Sequence, residues 1–95
     1  MNKEILEKLR ELKPILKEKF GIEEFAVFGS VARGEDTKKS DIDIAVIKAK
    51  SKNYFDLLEV KYFLKECLDK EIDIGYYDAI RPIFKKHINK DLINV

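Results

Sequence analysis

Residues 41–47, Asp-Ile-Asp-Ile-Ala-Val-Ile, alternate acidic and branched apolar side chains with a period of two. Only a strand sends such residues to opposite sides of the backbone. Asp41 and Asp43 then share one face, and Ile42, Ile44 and Val46 share the other. A strand with a wholly apolar face has to lie on a core. The chain must therefore build a sheet, cover one side of it, and leave two carboxylates standing on the other. Their side chains are about 7 Å apart in rise. Like charges held on a stiff platform repel unless something positive sits between them. A solvated edge strand explains a lone D-x-D equally well, so the surrounding residues have to decide.

The 95 residues allow one domain, spanning 1–95, and no second. A domain this small buries only about 60–65% of the surface its unfolded chain exposes, so its core has little to spare. Residues 2–19 carry Ile5, Leu6, Leu9, Leu12, Ile15 and Leu16 at helical spacing. Asn2 is a candidate cap, Pro14 predicts a kink or a split, and Gly21 marks the end. Residues 22–28 are a short apolar and aromatic run, a predicted strand. Ser30 to Gly34 reads as one helical turn, and 35–40 as a charged loop. Residues 53–69 predict a second helix, capped by Asn53 with Asp56 in its first turn. Its Phe55, Leu57, Leu58, Val60, Tyr62, Phe63 and Leu64 are expected to face the core or its edge. Residues 71–77 are a third predicted strand. Arg81-Pro82 opens a last helix with Ile83, Phe84, His87, Ile88 and Leu92 along one side. The expected fold is α+β, in the order αβαβαβα, with a three-stranded mixed sheet packed against helices.

Three further features gather around the two acids. Gly29-Ser30 sits where a buried strand gives way to a helical turn. Glycine lets a phosphate approach the backbone closely, and the first N–H groups of a helical turn attract anions. The Ser30 hydroxyl adds a donor, and Arg33, one turn on, is placed to reach the same phosphates. Asp73, between Ile72 and Ile74, points off the solvent face of its strand. If that strand lies beside 41–47, Asp73 lands next to Asp43. Glu71 and Asp78 compete for the same role, Glu71 from the strand entry and Asp78 from a turn beyond it. Three converging carboxylates are costly without a metal, and their hard oxygen atoms suit magnesium.

The stretch GSVARGEDTKKSDID, residues 29–43, resembles the G-S, ten residues, D-x-D signature of the DNA polymerase β-like nucleotidyltransferase superfamily. It looks most like the minimal nucleotidyltransferase (MNT) branch, with Gly29, Ser30, Ala32, Arg33, Gly34, Ser40, Asp41 and Asp43 all at motif positions. The family's third carboxylate lies on a later strand, as Asp73 does. The resemblance implies the nucleotidyltransferase fold and transfer of AMP from ATP to an acceptor hydroxyl, with release of pyrophosphate. It implies two Mg2+ ions bridged by Asp41 and Asp43, with Asp73 holding the one that activates the acceptor. Gly29 and Ser30 would hold the β- and γ-phosphates, assisted by Arg33. Small MNT proteins are typically paired with HEPN-domain proteins in toxin–antitoxin modules. The implied acceptor is therefore a tyrosine of a HEPN-domain toxin, and the implied role is that of antitoxin. Larger relatives continue into an acceptor-binding domain, which turns expectation away from a small-molecule acceptor. Nucleotidyl transfer to a small molecule or RNA, or a module that neutralises its toxin by contact alone, are the alternatives.

Composition excludes more than it assigns. Lys and Arg number 19 and Asp and Glu 18, a net charge of +1, so no general attraction draws nucleic acid or anionic lipid. At 39% charged residues, the surface resembles those of chains from hot environments, though an ordinary solvated helical surface explains it as well. No apolar run has the length of a membrane span and no signal peptide is evident, so a cytoplasmic chain is expected. Cys67, the only cysteine, reads as a small buried apolar residue. His87 reads as structural or surface, and Lys38-Lys39 as solvated loop. Ile83, Phe84 and Ile88, with Tyr76 and Tyr77, suit the docking of a helical partner as a homo- or hetero-oligomer. Taken singly, each reads more simply as part of a small core.

Overall fold

A computed structural model describes residues 2–95. In chain order it contains α1 (Lys3–Phe20), β1 (Ile22–Phe28), α2 (Gly29–Arg33), β2 (Ile42–Ala49) and α3 (Tyr54–Leu68). Then follow β3 (Ile72–Tyr76), a 3-10 turn (Tyr77–Ala79), α4 (Pro82–Asp91) and β4 (Ile93–Asn94). The sheet is mixed, as expected, but among the described residues it has four strands in the order β3-β2-β1-β4. The added strand is β4, two residues long, which pairs antiparallel with Ala26 and Val27. A strand that short shows no alternation, which is why the sequence hides it.

β1 and β2 run antiparallel, whereas β2 and β3 run parallel. Parallel neighbours need a crossover, and α3 supplies it. The caps form as read. The Asn2 Oδ1 atom accepts the Ile5 N–H at 3.1 Å, and Asn53 Oδ1 accepts that of Phe55 at 2.8 Å. Gly21 closes α1 with φ 70°, a left-handed conformation that glycine takes without strain. Pro14 does not split α1, which runs unbroken past it. Pro14 and Arg10, whose carbonyl loses its partner, both lie on the exposed side, open to water.

The core joins Leu9 and Leu16 of α1, Phe25 and Val27 of β1, Ile42, Ile44 and Val46 of β2, Val60 and Leu64 of α3, and Ile72 of β3. On α3 the buried stripe is Val60, Leu64 and Leu68. Phe55 and Tyr62, expected at the core or its edge, are 73% and 58% exposed. Cys67, expected inside, falls to one side of that stripe and is exposed as well. No helix among the described residues is long and apolar enough to cross a membrane.

Candidate active site

The site begins where β1 ends. Phe28 pairs with Asp43 across β1 and β2, and Asp43 pairs with Asp73 across β2 and β3. The sheet register alone therefore brings the Gly29 turn, Asp43 and Asp73 side by side. Asp43 and Asp73 lie opposite one another on the same face, as residues with apolar neighbours at 42, 44, 72 and 74 must. Asp41 stands one residue before β2, exposed, and near enough for its charge to act on Asp43.

Gly29 turns the chain into α2 with φ 74°. A Cβ on Gly29 would run into Asp43 Oδ2 and lie 3.2 Å from Asp43 Cγ. The glycine is required twice, by its backbone conformation and by the carboxylate against it. Ser30, half-buried, follows as the next residue of α2.

Asp43 is the electrostatic centre. Its carboxyl is pushed up to about 6, first by burial, then by the charges of Asp73 and Asp41 and by a hydrogen bond shared with Asp73; nearby Arg33 opposes this. Desolvation and like charge both disfavour the ionised form, and a cation reverses both. The donor set is all carboxylate oxygen, with a cradle at Gly29 that a side chain would fill, and it fits magnesium, which takes one or two carboxylates and completes its shell with water and phosphate. Among the described residues, no three His, Cys, Asp or Glu side chains already stand as a closed metal-binding group. The structure draws Asp43 and Asp73 together and leaves Asp41 at the strand entry.

The competing acids are engaged elsewhere. Glu71 lies 2.8 Å from Lys65 Nζ, which holds its carboxyl below the ordinary range. Asp78 is paired with Lys52 and is likewise lowered. Arg33, expected to face phosphate, donates from Nε to Glu35 Oε2 at 3.0 Å and from Nη1 to Asp91 Oδ2 at 2.8 Å. Ser40 serves the loop, its Oγ accepting the Thr37 N–H at 2.8 Å.

A cleft of about 480 Å³ opens in front of Asp73. Gly75 lines it from β3, Ile80 and Arg81 follow the 3-10 turn, and Phe84, His87 and Ile88 line it from α4. The sequence offered one faint signal for it, a glycine inside a strand, which often marks close approach of a ligand or backbone. His87 is exposed and lines this cleft. Tyr76 and Tyr77, read as partner-docking residues, are tied within the chain. The Tyr76 hydroxyl accepts the Asn53 N–H at 2.7 Å, and the Tyr77 hydroxyl donates to Asn89 Oδ1 at 2.6 Å. Ile83 and Phe84 are 68% and 56% exposed, so they do not complete a core.

Residues 9–94 match the nucleotidyltransferase domain family. A candidate protein adenylyltransferase of Methanocaldococcus jannaschii is 43% identical over 93 residues, 97% of this chain and 95% of its own. A solved structure described as a candidate minimal nucleotidyltransferase superposes with a TM-score of 0.79 at 29% identity, over 100% of this chain and 97% of that one. A chain from the structure of a tri-AMPylated Shewanella oneidensis HEPN toxin in complex with MNT antitoxin gives a TM-score of 0.71 over 99% of this chain and 71% of its own. At 19% identity that last likeness shows a shared fold alone. Family match, close relative and superposed fold agree: the chain belongs to the nucleotidyltransferase domain family, among its minimal, MNT-type members.

Proposed function

We propose that this protein, acting as one domain over residues 1–95, transfers AMP from ATP to a tyrosine hydroxyl of a HEPN-domain toxin, and so works as its antitoxin in the cytoplasm. The observation that carries the reading is the register pair Asp43–Asp73 beside the Gly29 turn. The related M. jannaschii protein named for adenylyl transfer supports the same chemistry, and a chain from an AMPylated toxin complex shares the fold.

Asp41, Asp43 and Asp73 are the residues that would hold magnesium. When bound, two such ions polarise the reacting phosphate and steady the attacking and leaving oxygens. Gly29 and Ser30 offer backbone N–H groups and a hydroxyl to the β- and γ-phosphates. Asp73 orients the acceptor and takes its proton. The phenolic oxygen bonds to the α-phosphorus, the α–β bridging bond breaks, and pyrophosphate leaves with the electron pair. Arg33 balances charge on that leaving group once released from its acidic partners. Most of the rate comes from positioning and fixed charge.

The test is the intact mass of a candidate HEPN-domain protein after incubation with this chain, ATP and magnesium. A gain of one or more AMP units is expected, and Asp41→Ala with Asp43→Ala should abolish it. If the double variant still neutralised the toxin, contact rather than transfer would be the mode of action. Label passing to a small molecule or RNA and never to the protein would replace the acceptor.

A further inference from the structure

Gly75 lies two residues beyond Asp73 on the same face of β3, opposite Ala45 in the parallel register. Its backbone does not require glycine, because it is not among the residues with positive φ. Its packing does not require glycine either: a Cβ built there meets nothing within 4 Å. Inside a strand, glycine is unfavourable and a β-branched residue would serve better. The missing side chain leaves the floor of the cleft open in front of Asp73.

Direction follows from the sheet order. The Gly29–Ser30 turn is at the end of β1, Asp43 is on β2 and Asp73 is on β3, and β3 is an edge strand. If the leaving pyrophosphate lies over β1, in-line attack comes from the opposite side, over β3. An acceptor arriving there passes between Gly75 and Phe84, which is 56% exposed. Ile80, Phe84 and Ile88 give that passage apolar walls, and Asp73 lines it with them. A phenol matches both parts, with a flat apolar ring and one hydroxyl at its tip.

We infer that Gly75 sets the width of the acceptor passage and admits an aromatic hydroxyl side chain to Asp73. The inference rests on the nucleotidyl transfer proposed above and adds a residue that gauges the acceptor without touching the nucleotide. A β-branched side chain at this position narrows the passage from the β3 side and is remote in sequence from the phosphate turn.

The experiment uses the nitrogen-15-labelled full chain with magnesium, α,β-methylene ATP as an uncleavable nucleotide, and N-acetyl-tyrosinamide as acceptor probe. The nucleotide is expected to shift the Gly29 and Ser30 amides with equal affinity in wild type and Gly75→Val. The tyrosinamide is expected to shift the Gly75, Ile80 and Phe84 amides in the wild type. Its affinity should fall about tenfold in Gly75→Val, the scale on which a pocket discriminates a methyl group or two. Gly75→Ala, the gentler variant, should fall between, and preserved amide dispersion reports the fold. Equal weakening of nucleotide and probe would put the nucleoside in the cleft and overturn the inference. So would a probe that shifts no cleft amide, or that binds both variants as it binds wild type. A nucleotide that moves neither Gly29 nor Ser30 sinks the transfer reading instead, and this one with it.

Discussion

α1 and α4 are both amphipathic helices, yet they relate to the sheet in opposite ways. α1 buries Ile5, Leu6, Leu9 and Leu16 in the core. α4 buries no residue fully and stands across an open cleft from Asp73 and Gly75. The contrast extends to the sheet itself. Ile42, Ile44, Val46 and Ile72 point into the core, while Asp43 and Asp73 crowd the opposite face. One face of the sheet makes the fold stable, and the other holds like charges together at its expense. In so small a domain, substitutions on the two faces should separate stability from activity cleanly.

The sharpest test of that separation is Asp43→Asn. Transfer activity should fall about a thousandfold or more, roughly 4 kcal/mol of barrier. The melting temperature in EDTA should stay or rise, because a crowded, partly buried charge is gone. A variant that melts markedly lower would mean that Asp43 supports the fold, and the comparison would break. Leu64→Ala, at the centre of the core, should do the reverse, costing about 2–5 kcal/mol of stability in denaturant titration. Its turnover per folded molecule, measured well below the melting point, should match wild type. Gly29→Ala belongs to both faces at once. The left-handed backbone and the clash with Asp43 should cost about 1–3 kcal/mol and lower nucleotide affinity as well. Finding stability alone affected would detach the turn from the phosphates.

The smallest expected effect concerns an acid outside the site. Glu71, paired with Lys65, has its carboxyl held low. A lowered folded value means that the pair stabilises above the ordinary carboxylate range, near 4.5, and stops doing so as pH falls through the folded value. Glu71→Gln should therefore melt slightly lower than wild type at pH 7 and alike in strong acid. The pair is exposed, so the difference should be small.

Why some of this was legible and some not is a matter of range. β2 could be read because its alternation is local and strict, and the Gly29–Ser30 turn because helix and strand patterns meet there. The meeting of Asp43 with Asp73 depended on one conditional, that β3 lies beside β2, and the parallel register satisfies it. α3 misled at Phe55 and Tyr62 because apolar residues surround that helix, and periodicity cannot choose a face where every face qualifies. The partner of Arg33 was beyond reach. Asp91 is 58 residues away, and nothing in the spacing of either residue announces the other. Gly75 was visible as a letter but not as a vacancy, since only the packed cleft shows what its missing side chain leaves open.

The grip of Arg33 on Asp91 has a mechanical side. The same guanidinium fastens the end of α2, one turn beyond Ser30, to the end of α4. If it turned to a triphosphate at Ser30, it could not hold Asp91 as fully. Exposed pairs of this kind are weak, so a polyanion arriving beside them can win the exchange. Whatever draws that guanidinium away also loosens the tie on the end of α4, the helix that lines the cleft.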